Sequence, residues 1–85
     1  MYYDNLISYG DFIMEKLYYM KRIRDLREDH DLTQQNIADI LGTTQTMYAR
    51  YERGANELPL RHLITLCKFY HVSADDILGL NKHHP

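Results

Sequence analysis

Between Thr33 and Gly54 the sequence reads TQQNIADILGTTQTMYARYERG, and its punctuation permits little besides two short helices. Thr33 stands where an N-cap side chain accepts from the first free amides of a helix. Gly42 supplies the left-handed residue on which helices commonly end. The pattern then repeats, with Thr44 as cap and Gly54 as stop. Ile37, Ala38 and Leu41, then Tyr48 and Tyr51, fall at helical spacing and form the two inner faces. A helix-turn-helix needs two such helices crossing steeply through a turn of a few residues. Counted from Gln34, the fifth position is Ala38 and the ninth is Gly42. A small fifth residue lets the second helix cross close by, and glycine at the ninth accepts a positive φ.

The flanking sequence is helical too. Ile13, Leu17, Met20, Ile23 and Leu26 predict a helix over 12–29, with Asp11 after Gly10 as its N-cap. Residues 1–9 are rich in tyrosine and fit either a short separate helix or an arm. Leu63, Leu66, Cys67 and Tyr70 predict a helix over 60–70 that begins without a capping side chain. Ser73 caps a last short helix carrying Ile77 and Leu78 and ending at Gly79. No segment alternates with period two, so the expectation is an all-α fold of five helices. Residues 20–79 form its body, 1–19 are an N-terminal extension, and 80–85 are a flexible tail.

At 85 residues the chain is long enough for one small domain. A single cysteine excludes an internal disulfide, so a stapled secreted mini-protein is excluded and a cytoplasmic setting fits. No apolar run reaches the ~18 residues of a membrane span. The net charge is −2, which gives no general attraction to polyanions. Asp4, Asp11 and Glu15 against Lys16 place that excess in the first 19 residues and leave the remainder balanced. Any cationic face must therefore be local.

Leu32-Thr33-Gln34, Ile37-Ala38, Leu41-Gly42, Thr44-Gln45, Tyr51-Glu52-Arg53-Gly54 and Pro59 together resemble the phage repressor and Cro type helix-turn-helix family, the XRE-like regulators. The resemblance spans about residues 20–79. It implies a five-helix, lambda-repressor-like fold whose third helix recognises DNA, usually as a homodimer on a palindromic operator. That helix presents Gln45, Thr46, Ala49, Arg50 and Arg53 on its outer side. Gln45 can pair bidentately with adenine and Arg50 with guanine, and Thr46 can bond a base edge or touch a thymine methyl. By family position, Gln34 and Thr44 meet phosphates at helix N-termini, where exposed amides favour an anion. Arg53 and Asn56 are further backbone contacts. The resemblance also implies a salt bridge between Arg27 and Glu52 that locks the first helix to the third.

Set alone, Gln45, Thr46 and Arg50 would read as ordinary solvated surface. The motif around them shifts that balance. Tyr48, Tyr51, Leu63, Leu66 and Tyr70 read as core, and Cys67 as a small apolar residue rather than a redox sensor. His62 and His71 lie off one helix face, His83 and His84 end the chain, and no cysteine stands at ligand spacing, so no metal site is expected. Asp75 and Asp76 suit a helix N-terminus better than acid–base catalysis. No nucleophile constellation or phosphate loop is present, so the expectation is not an enzyme, with no cofactor and no small-molecule ligand.

Met47 and Ile40 depart from the polar pattern. Met47 is free to touch a thymine methyl or a partner helix, and Ile40 to pack on the extension. The stripe Phe12, Ile13 and Leu17, with Tyr18 and Tyr19, must bury somewhere. It lengthens the first helix into a dimerisation element, covers the core as an arm, or precedes a true start at Met20. The expected function is sequence-specific binding of double-stranded DNA by a small regulator, most simply a repressor. Two other classes stay open: an antitoxin or restriction–modification controller, and a protein-interaction module that kept the fold and lost DNA binding.

Overall fold

The structure, a computed structural model, describes residues 9–80, with side chains from Lys16 onward. Five helices follow in order: α1 (Tyr9–Asp29), α2 (Gln34–Leu41), α3 (Gln45–Glu52), α4 (Leu60–Tyr70) and α5 (Ala74–Leu78). α1 packs against α3 and α5, α2 against α3 and α4, and α4 against α5. The all-α, five-helix fold expected from the sequence is the one observed.

The caps fix the boundaries. Thr33 accepts from the Asn36 amide while the Asn36 side chain returns a bond to the Thr33 amide, a closed capping box. Thr44 accepts from Met47 N and Ser73 from Asp76 N. Gly42 closes α2 in the left-handed conformation at φ 71°. α4 starts at Pro59 without a side-chain cap, and the Pro59 carbonyl instead accepts from His62 and Leu63. His71 ends α4 at φ 58°, a left-handed residue with no glycine to announce it.

The expected start of α1 needs correction. Asp11 is not its N-cap, because the helix is already formed at Tyr9 and runs 21 residues to Asp29. Gly10 weakens a helix interior by only about 1 kcal/mol relative to Ala, too little to stop one. In the extension's expected stripe, the side chains of Phe12 and Ile13 lie outside the described residues. Of its remainder, Leu17 is exposed rather than buried. Tyr18 lays its ring against Gly79, and Tyr19 packs on the core with its hydroxyl accepting from Leu58 N at 3.4 Å. Residues 1–8 and the tail from 81 lie outside the described part.

The core is one cluster of Ile23, Leu26, Ile37, Ala38, Leu41, Tyr48, Tyr51, Leu63, Leu66, Tyr70 and Ile77. Each fully buried isoleucine or leucine among them contributes roughly 1.5–3 kcal/mol. Ala38 is completely buried where α2 and α3 cross, so a larger side chain there would push the two apart. A carboxylate and an imidazole are also buried, those of Glu52 and His62. No helix among the described residues is long and apolar enough to cross a membrane.

Candidate nucleic-acid interface

α3 turns Tyr48 and Tyr51 into the core and leaves Gln45 and Thr46 exposed at its N-terminal end. Arg50 is half-buried near its other end, and Arg53, the residue that caps it, is exposed. Met47 is half-buried and packs against the core. Ile40 is exposed.

A chain of hydrogen bonds ties the N-terminal end of α3 to the interior. Arg27 of α1 reaches Glu52 twice, Nε to Oε2 at 2.7 Å and Nη2 to Oε1 at 3.0 Å. Its remaining nitrogen, Nη1, donates to the Leu32 carbonyl at 3.0 Å and pins the α1–α2 connector. The Glu52 side chain is 4% exposed and that of Arg27 13%, so the pair is almost withdrawn from water. Burial opposes ionisation of Glu52. Contacts from Arg27, the Tyr48 hydroxyl and Gln34 outweigh it, and the carboxyl is held below its ordinary value. The Tyr48 hydroxyl lies beside that carboxylate without closing a hydrogen bond of ordinary geometry. Burial first, and the neighbouring carboxylate next, push its ionisation far upward.

The charge on Glu52 has a consequence two residues away in the hydrogen-bond chain. A carboxylate only accepts. Gln34 must therefore present its amide nitrogen, and Nε2 donates to Glu52 Oε1 at 3.1 Å. The Gln34 oxygen is left facing the other way, where it accepts from Gln45 Nε2 at 2.6 Å. Both amide orientations are thereby set by the buried acid. Gln45 retains its Oε1 acceptor and its second Nε2 proton for an outside partner.

The C-terminal end of α3 is held differently. Gly54, at φ 78°, turns the chain back so that Ala55 N and Asn56 N both donate to the Arg50 carbonyl, at 2.9 and 3.3 Å. The Asn56 side chain then accepts from Arg50 Nε at 2.5 Å. Lys16 of α1 approaches the same turn. Of the residues expected to meet phosphate, Gln34 is half-buried, Thr44 exposed with its hydroxyl engaged as a cap, and Arg53 exposed. Asn56 is occupied with Arg50. No cluster of three His, Cys, Asp or Glu among the described residues could hold a metal ion.

The Arg27–Glu52 link of this network is the one the resemblance implied; the links through Gln34 to Gln45 were not indicated. Gln34 and Gln45 each open a helix, and a turn of fixed length brings those two ends together, which was the available signal. Nothing in the pattern marked Asn56 as a partner of Arg50, since that contact exists only through the left-handed turn at Gly54.

Residues 23–77 match the family model described as helix-turn-helix, which is well over half of the chain. The chain belongs to the helix-turn-helix family. Among relatives, this helix-turn-helix protein is 40% identical over 62 residues to the HTH-type transcriptional regulator YobD of Bacillus subtilis, covering 73% of this chain and 55% of that one. It is 37% identical to the antitoxin PezA of Streptococcus pneumoniae, over 73% of this chain and 39% of PezA. It is 33% identical to the cryptic phage CTXphi transcriptional repressor RstR of Vibrio cholerae, over 72% of this chain and 55% of RstR. The chain thus spans about half the length, or less, of these relatives. A solved transcriptional regulator from Listeria innocua superposes with a TM-score of 0.69 at 26% identity, over 72% of this chain and 57% of that one.

Proposed function

We propose that this chain binds double-stranded DNA sequence-specifically, with α3 in the major groove, as a small transcriptional regulator. The carrying observation is the hydrogen-bond chain Arg27–Glu52–Gln34–Gln45, which presents an acceptor and a donor of Gln45 together at the exposed start of α3. That pair matches N6 and N7 of adenine. Arg50, five residues on, offers guanidinium donors suited to guanine, and Thr46 completes a base-facing set. The N-termini of α2 and α3, with Gln34 and Thr44, flank this set with amides suited to phosphate. Arg53 and the nearby Lys16 add positive charge where the whole molecule has none to spare.

Repression by a homodimer on a palindromic operator is the regulatory mode that fits best, with RstR as the relative that supports it. Selection from a random duplex pool tests the reading. An enriched palindrome with half-sites about one helical turn apart supports a dimeric reader. A folded protein that enriches nothing at moderate salt overturns it. The similarity to PezA favours a second context, an antitoxin-like regulator with a protein partner. A partner that co-purifies and alters operator affinity would establish that context without changing how α3 is used.

A further inference from the structure

We propose that Asn56 is a specificity-determining positioning residue that fixes Arg50 for end-on reading of a guanine, an inference that rests on the DNA-binding function proposed above. An arginine can offer guanine two parallel donor pairs, side-on through Nε and one Nη, or end-on through both Nη atoms. Here Nε is taken, because it donates to Asn56 Oδ1 at 2.5 Å. No partner for Nη1 or Nη2 is found among the described residues, so the end-on pair is the one left for a base. The clamp is not a chance meeting of two long side chains. Asn56 has a short side chain, and its backbone is already tied to the Arg50 carbonyl, as is that of Ala55. The left-handed Gly54 sets the distance between them. Holding a flexible guanidinium in one orientation before binding removes ordering that would otherwise accompany recognition.

This assigns Asn56 a different task from direct phosphate contact, and the two separate by experiment. The duplex enriched by the intact chain and its single-base variants would be titrated by fluorescence anisotropy. The proteins would be wild type, Arg50→Ala, Asn56→Ala, Asn56→Asp and the Arg50→Ala/Asn56→Ala double variant. Arg50→Ala should remove the preference at one base pair of each half-site. Asn56→Ala should lower that same preference by about 3- to 10-fold, spare the others, and add nothing in the Arg50→Ala background. Asn56→Asp keeps the accepting oxygen, so the preference should persist while affinity for every duplex falls through the added negative charge.

A uniform loss of affinity in Asn56→Ala, with a salt slope shallower by about one, would make Asn56 a phosphate ligand and overturn the proposal. So would loss of the preference in a folded Asn56→Asp. A wild-type chain that enriches no sequence would instead overturn the DNA-binding function, and this inference with it.

Discussion

The two ends of α3 are both anchored, but to different parts of the molecule. At the N-terminal end, Gln45 is held through Gln34 by Glu52 and Arg27, a path that crosses three helices and ends in a nearly dry ion pair. At the C-terminal end, Arg50 is held by Asn56 alone, six residues along the same chain. The first anchor is long-range and made with the tertiary fold. The second is local and made with one turn. Gln45 should therefore lose its orientation whenever the core is disturbed, whereas Arg50 should lose its own only when the Gly54 turn is.

The largest effect should come from breaking the long-range anchor. Glu52→Ala strands Arg27 in the interior and should cost about 3–5 kcal/mol in urea unfolding, enough to jeopardise the fold of so small a domain. Replacing both partners, Arg27→Met with Glu52→Leu, should cost less, since no charge is left alone. A double variant no better than Glu52→Ala would show that the pair contributes more than compensation for its own burial.

The local anchor should respond to Gly54→Ala. A residue with a Cβ at φ 78° costs about 1–2 kcal/mol, and the new methyl would also stand 2.6 Å from the Met20 sulfur. Gly42→Ala shares the strain at φ 71° but meets nothing within 4 Å. Thermal unfolding should thus rank Gly54→Ala as the more damaging of the two. Equal losses would mean that Met20 yields freely and that backbone strain is the whole effect. Smaller still, Thr44→Ala should cost about 1 kcal/mol by freeing the Met47 amide, measured in the same way.

The contrast also explains what could be read in advance. Thr33, Gly42, Thr44 and Gly54 act within one or two turns of themselves, so the helices they delimit were legible in residue order. Ile37, Ala38, Tyr48 and Tyr51 were legible for the same reason, because helical periodicity is a local property. Gln45 and Gln34 were recognised as positions, but the orientation of their amides was not, since it depends on the buried Glu52 carboxylate, which meets Gln34 only through the crossing of α2 and α3. The start of α1 was misplaced at Asp11 because a good capping residue does not end a helix that continues through it. Leu17 was assigned inward, but it is exposed while its neighbours Lys16 and Tyr18 are the ones that approach the body, at Gly54 and Gly79.

The smallest predicted effect is a pH dependence that separates the buried acid from the buried base. His62 is 6% exposed and packs against Tyr51, with ring centroids 5.7 Å apart. Burial first, and the positive charge of Arg61 second, hold its ionisation below the ordinary value of 6.5. As pH falls below 6.5, the unfolded chain binds a proton at this site that the fold resists, so stability declines and then levels off once the folded histidine also titrates. Glu52 acts lower. Its carboxyl is held below 4.5, so its contribution is fully present above that pH and is lost as pH falls through the folded value. Urea midpoints between about pH 8 and about pH 3 should accordingly show a shallow decline followed by a deeper one. His62→Phe should remove the shallow decline and leave the deeper one in place. Were the shallow decline to survive that substitution, the proton would be binding elsewhere. The ion pair behind Gln45 would then be the only buried group of these two whose charge the fold selects.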